Sequence, residues 1–193
     1  MNSESIIPVA LRTIRLEAAS ISGLESFINS SFKKAVETVA YGKGRLVVSG
    51  IGKSAIIAQK IVATLNSTGT ASIFMHAADA IHGDLGMIQQ DDIVLLISKS
   101  GDSPEIKVLV PLLKNFGNTL IGMAGNEQSY LAKHCDILLN TTVNQEACPN
   151  NLAPTSSTTA QMVMGDALAV CLMELKGFNS EDFAKYHPGG TLG

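Results

Sequence analysis

Five short runs of unbroken apolar residues constrain this chain more than any other feature. They are "RLVVSGIG" (45–52), "SIFMH" (72–76), "DIVLLIS" (92–98), "TLIGMAG" (119–125) and "DILLNT" (136–141). A strand with one wet face alternates apolar with polar residues. A continuous run is covered on both faces, which is the mark of a parallel sheet. Helical stretches separate the runs: "SAIIAQKIVATLNS" (54–67), "PEIKVLVPLLKNF" (104–116) and "TSSTTAQMVMGDALAVCLMELKG" (155–177), the last ending at Gly177. Pro111 inside the second predicts a kink or a shift. The fold class that follows is α/β, a doubly wound parallel sheet of five strands flanked by helices.

Ahead of the first strand, Val9, Leu11, Ile14, Leu16, Ile21, Leu24, Phe27, Phe32, Val36 and Val39 recur at helical spacing. They predict an N-terminal helical arm over about 8–42, broken near Asn29-Ser30-Ser31, with Ser31 capping the second piece. No repeat, low-complexity tract or linker divides the rest, so one domain over 1–193 is expected. Charged residues are only 16% and hydrophobic ones 46%, which excludes a disordered chain. The chain has no Trp, few aromatics and a net charge of −3, so a nucleic acid is a poor partner. Cys135, Cys148 and Cys171 are too scattered for a disulfide framework and read as reduced thiols. Arg12, Arg15 and Glu17 interrupt the N-terminal apolar residues, so that region is no signal peptide. No apolar run reaches the roughly 20 residues that span a bilayer. The expected address is the cytoplasm, with no membrane partner.

In such sheets the ligand crevice lies outside the carboxyl ends of the strands. Four segments fall there: Gly50 to Ser54, His76 to Asp84, Ser98 to Glu105, and the stretch leading to Thr155. "SGIGKSA" matches neither GxxxxGK[ST] nor GxGxxG. Its glycines still expose amides at a helix start, where an anion is favoured. "SKSGDSPE" repeats that arrangement. One serine would suffice to cap a helix beginning at Pro104. Three hydroxyls, Ser98, Ser100 and Ser103, around Gly101 are better explained by an oxyanion with several acceptors.

Taken together, "SGIGKSA", "HGDLGM", "SKSGDSPE", "EACPNNLAPTSSTTAQMVMGDALA" and "HPGGTLG" resemble the sugar isomerase (SIS) domain. Within it they are most similar to the D-arabinose 5-phosphate isomerases of the Kdo pathway, from about Arg12 to Gly193. Two features depart from that pattern. The usual GKSG reads Gly52-Lys53-Ser54-Ala55, and members typically continue after HPGGxLG into a pair of CBS domains. The expectation is therefore a short form lacking that pair, with regulation as the open question.

The resemblance implies a sugar phosphate held by Ser98, Ser100, Gly101 and Ser103 with Gly52 and Ser54. Ser157, Thr158 and His82 are further candidates for substrate contact. It also implies an aldose–ketose isomerisation through a cis-enediol, which needs a base on carbon and proton transfer between oxygens. Lys53, Glu105, Glu146 and His187 are the candidates. Glu146 is the preferred base. His187 is assigned to ring opening, in this chain's site or a neighbour's. Lys53 is assigned to the enediolate or the phosphate. Glu105 is either a second acid/base or a first-turn glutamate favoured by the helix dipole. No cofactor or metal is required, although adventitious zinc at His76 or His82 is compatible with the side chains. A homotetramer is implied. The alternatives are a non-catalytic sugar-phosphate-binding regulator and an isomerase of another sugar phosphate.

Overall fold

A computed structural model describes residues 5–189; the first four residues and 190–193, the end of the HPGGTLG motif, lie outside them. Five parallel strands form one sheet in the order β2-β1-β3-β4-β5. They are β1 (Leu46–Gly50), β2 (Ser72–His76), β3 (Ile93–Ser98), β4 (Leu120–Ala124) and β5 (Ile137–Asn140). The helices are α1 (Ile6–Gly23), α2 (Ser30–Tyr41), α3 (Lys53–Ser67), α4 (Ala77–Ala80), α5 (Pro104–Phe116), α6 (Tyr130–His134), α7 (Ser156–Leu175) and α8 (Ser180–Tyr186).

The unbroken apolar runs are explained by burial at every position of β1, β3 and β4. Leu46, Val48, Leu95, Ile97 and Ile121 face a layer made by α2, α3 and α7. Val47, Val94, Leu96 and Leu120 face the opposite layer, where α5 contributes Ile106, Leu109 and Leu113. Side chains of successive strand residues alternate between two apolar layers rather than between core and water.

The arm expected over 8–42 divides in two. α1 buries no residue and lies along α7. α2 is not an arm: Phe32, Ala35, Val36 and Val39 belong to the core layer. Its cap is Asn29, whose Oδ1 accepts from the amides of Ser31 and Phe32 at 2.8 and 3.4 Å. Ser31 instead donates its hydroxyl to the Leu138 carbonyl at 2.7 Å, stitching α2 to β5. Asn29 has extended backbone dihedrals and Ser31 already lies inside the helix, so only Asn29 is placed to cap. α5 runs through Pro111 without ending; Pro111 and Lys107, whose carbonyl loses its partner, are both exposed. Helices α4, α6 and α8 lie outside the sequence expectations, because four to seven residues carry too little periodicity.

α3 and α7 cross closely at Gly165, where a Cβ would stand 2.3 Å from Ile61 Cδ1 and 2.4 Å from Ile61 Cγ1. Gly165→Ala should therefore lower stability by about 1–2 kcal/mol, overpacking outweighing the gain in helix propensity. Chemical denaturation of the double variant with Ile61→Val should show a smaller loss than the two single changes summed. Simple additivity would place the strain elsewhere.

Candidate active site

Winding direction reverses between β1 and β3. From β1 the chain passes into α3 on one face, and from β3 into α5 on the other. The carboxyl ends of these adjacent strands therefore diverge and leave a crevice that no connection crosses. A cleft of about 300 Å³ lies there. Its walls come from three helix starts: Ile51, Lys53 and Ser54 at α3, Ser98, Lys99, Ser100 and Ser103 before α5, and Pro154, Ser157, Thr158 and Gln161 at α7. Three helix N-termini converging on one cavity make a positive end-field suited to an anion.

The turn before α5 shows how the serines serve. Ser98 Oγ accepts the Gly101 amide at 3.0 Å, Ser100 Oγ accepts the Asp102 amide at 3.3 Å, and Ser103 Oγ caps the helix by accepting the Ile106 amide. Each oxygen is used as an acceptor, which leaves each O–H free to donate into the cleft. Capping and anion binding are thus compatible uses of one residue. Gly101 has φ +67°, and a Cβ there would stand 2.2 Å from Ser129 Oγ, so the turn demands glycine.

The α7 wall is built differently. Its N-cap residue, Thr155, makes no side-chain capping hydrogen bond. The cap is Glu146, from the loop after β5. Its Oε2 accepts from the amides of Thr155 and Ser157 at 2.8 and 3.1 Å and from the Thr155 hydroxyl at 3.2 Å. Its Oε1 accepts the Ser157 hydroxyl at 2.5 Å and lies 2.7 Å from Lys99 Nζ. The loop is braced by Asn151, in the left-handed region at φ 53°, whose Oδ1 accepts the Glu146 amide at 2.7 Å. Glu146 is only 2% exposed. Burial pushes its carboxyl upward, but Lys99, Ser157 and the two amides outweigh burial and hold it at about 2. Because Ser157 donates to Glu146 and Thr158 donates to the Thr155 carbonyl at 2.9 Å, both protons are already engaged. Ser157 and Thr158 offer a ligand acceptor lone pairs rather than donors.

Two residues escape the sequence reading. Lys99 stands inside the quoted serine turn, but a lysine between two serines carries no pattern of its own. Gln161 is 1% exposed, and its Oε1 accepts from Ser54 Oγ at 3.2 Å. Its Nε2 is buried without a partner among the described residues, and the residue borders the cleft, which makes it a donor in reserve for a ligand oxygen. One signal is available: Gln161 falls on the α7 face that also carries Ser157.

Other candidates do not converge here. Lys53 borders the cleft, exposed at the N-terminus of α3 beside Gly52. Glu105 is half-buried in the first turn of α5 and is not part of the cleft wall. His82 is exposed on a turn, while His76 Nδ1 lies 3.4 Å from Asp79 Oδ2. The described residues bring together no group of three or more metal-ligating side chains. His187 follows α8 and stacks on Phe183 with ring centroids 3.8 Å apart, its Nδ1 donating to the Phe183 carbonyl at 2.8 Å. That helix follows the far end of α7, where Lys176 bonds Thr70 and Phe178 covers Gly69, just ahead of the start of β2. His187 is not among the residues that border this chain's cleft.

Glu146→Gln should cost roughly 1–3 kcal/mol at neutral pH, since a buried charge-assisted network loses its charge. Glu146 is held below the usual 4.5. Its stabilisation is therefore complete above about pH 4.5 and is lost as the pH falls toward 2. Denaturation midpoints of the two proteins should converge over that window; a constant offset would show that the charge contributes nothing.

Comparisons with known proteins agree with this geometry. A family model described as "SIS domain" matches residues 41–171. The arabinose 5-phosphate isomerase KdsD of Pseudomonas aeruginosa is 55% identical over 95% of this chain, and that of Escherichia coli K12 is 49% identical over 93%. The chain spans 56% and 55% of the length of these two curated relatives. The solved structure of the E. coli CFT073 protein c3406 in complex with arabinose 5-phosphate superposes with a TM-score of 0.93 at 41% identity, covering 97% of this chain and all of that one. The cradle of helix starts at a winding reversal, the matched family model and this overlap lead to one conclusion: the chain belongs to the SIS domain family.

Proposed function

We propose that this chain is an aldose–ketose isomerase that interconverts D-ribulose 5-phosphate and D-arabinose 5-phosphate through a cis-enediol. One observation carries the reading: a buried carboxylate, Glu146, stands beside a cleft whose free donors suit a phosphate. The names of the relatives, and the arabinose 5-phosphate held by the E. coli protein, favour this pair of sugars over a hexulose phosphate. In this reading Ser98, Ser100 and Ser103 bind the phosphate with the amide of Gly52, while Gly101, its own amide held by Ser98, shapes the turn. Gln161 adds a donor next to Ser54, and His82 is a further candidate for touching the sugar. Glu146 moves the proton between C1 and C2, while Lys53 stabilises the charge that develops on the enediolate oxygen. Glu105 remains a candidate second acid/base.

His187 fits ring opening in the site of a neighbouring copy. A tetramer is part of the same reading, supported by the apolar side chains that α1 leaves uncovered: Ile7 is 72% and Ile14 64% exposed. The reading needs no cofactor, because a carboxylate and a cation suffice for enediol chemistry. Zinc at His76 or His82 would be adventitious. No helix among the described residues is long and apolar enough to cross a membrane. The proposed setting is the cytoplasm, where the product would feed Kdo and surface-polysaccharide synthesis.

Incubation with ribulose 5-phosphate should yield arabinose 5-phosphate, and Glu146→Gln should lower kcat by about 100-fold or more, the usual weight of a positioned base. A folded protein that turns over only a C6 sugar phosphate would change the substrate. One that is stabilised by sugar phosphates but turns over none would favour the regulator reading. A monomer in sedimentation at micromolar concentration would remove the tetramer and, with it, the role given to His187.

A further inference from the structure

We propose that Lys99 is a positioning residue that exchanges partners. Its ammonium leaves Glu146 for the phosphate of an entering sugar phosphate, and the Glu146 carboxylate is thereby freed for proton transfer. The inference rests on the isomerase reading for what Glu146 then does, but the exchange itself requires only a phosphate.

The geometry carries it in four parts. Lys99 belongs to the phosphate turn itself, between Ser98 and Ser100, and borders the same cleft. Its backbone is pinned, because its carbonyl accepts the Gly125 amide at 3.0 Å; the exchange is a swing of the side chain alone. That side chain is 44% exposed, so moving the ammonium does not drag a desolvated charge through the core. Glu146 is not stranded when it leaves. The amides of Thr155 and Ser157 and the Ser157 hydroxyl stay on the carboxylate, at the N-terminus of a helix of 20 residues.

Charge decides the direction. A phosphate monoester carries about −1.5 to −2 near neutral pH, against −1 for the carboxylate, so at similar distances it is the stronger partner for an ammonium. In the resting protein the carboxyl is held at about 2, a weak base for abstracting a proton from carbon. Losing Lys99 removes one of the main forces that depress it. The base then gains strength when the far end of the substrate is in place, and binding energy from the unreactive phosphate is used at C1 and C2.

The test titrates inorganic phosphate at constant neutral pH into protein labelled with 13C at glutamate carboxyls, with Glu146→Gln giving the assignment. The Glu146 carboxyl resonance should move as phosphate saturates. In Lys99→Met it should not move, and phosphate should bind about ten-fold more weakly, as for the loss of one charge-assisted hydrogen bond. Lys99→Arg should restore both behaviours. A purely structural lysine would alter the melting temperature of Lys99→Met without these effects. An unmoved resonance at saturating phosphate, unchanged phosphate affinity in Lys99→Met, or no phosphate binding at all overturns the exchange. A resonance that moves in a protein without isomerase activity supports the exchange and removes only the isomerase reading.

Discussion

Adjacent parallel strands that send their chains to opposite faces of a sheet cannot close the gap above their own carboxyl ends. β1 and β3 are such a pair, and the rest of the site depends on that constraint. The cleft walls are edges of the resulting crevice: the start of α3, the serine turn before α5, and the start of α7. The helix ends supply partial positive charge, and the serines hold the turn with their oxygens while their protons remain available.

Of these three helix starts, one already has its anion. The Glu146 carboxylate sits on the first amides of α7 as a bound anion would, with Lys99 as counter-ion. The starts of α3 and α5 remain for a ligand. In the proposed isomerase, a phosphate half of the cleft is separated from an acid/base half, with Lys99 standing at their boundary. Substrate class and reaction would then rest on different residues, although one side chain touches both halves.

Long elements are legible in the sequence because their physics is local and repeated. The five strands are visible as unbroken apolar runs, and α3, α5 and α7 as periodic stretches with Gly, Ser or Pro at their ends. What escapes is short or relational. Ser31 and Asn29 are both good capping residues, and only the dihedrals at Asn29 decide between them. Glu146 reads locally as one more glutamate in a polar loop, and the family resemblance alone draws attention to it. Lys99 and Gln161 leave almost no trace, since their importance lies in partners about 47 and 107 positions away in the chain.

By itself the sequence determined the sheet, its burial on both faces, the serine turn and the expectation of an oxyanion there, because these follow from hydrophobic period and from chemistry packed within a few consecutive residues. Tertiary structure alone decided that a glutamate from the loop after β5 caps α7, that a lysine from the phosphate turn neutralises it, that Gln161 presents an unpaired donor, and that His187 lies outside the cleft of its own chain. The reason is physical. Burial and Coulomb energy depend on distance in space, and neither the path of the chain to Glu146 nor the field acting on it is written in the residues beside it.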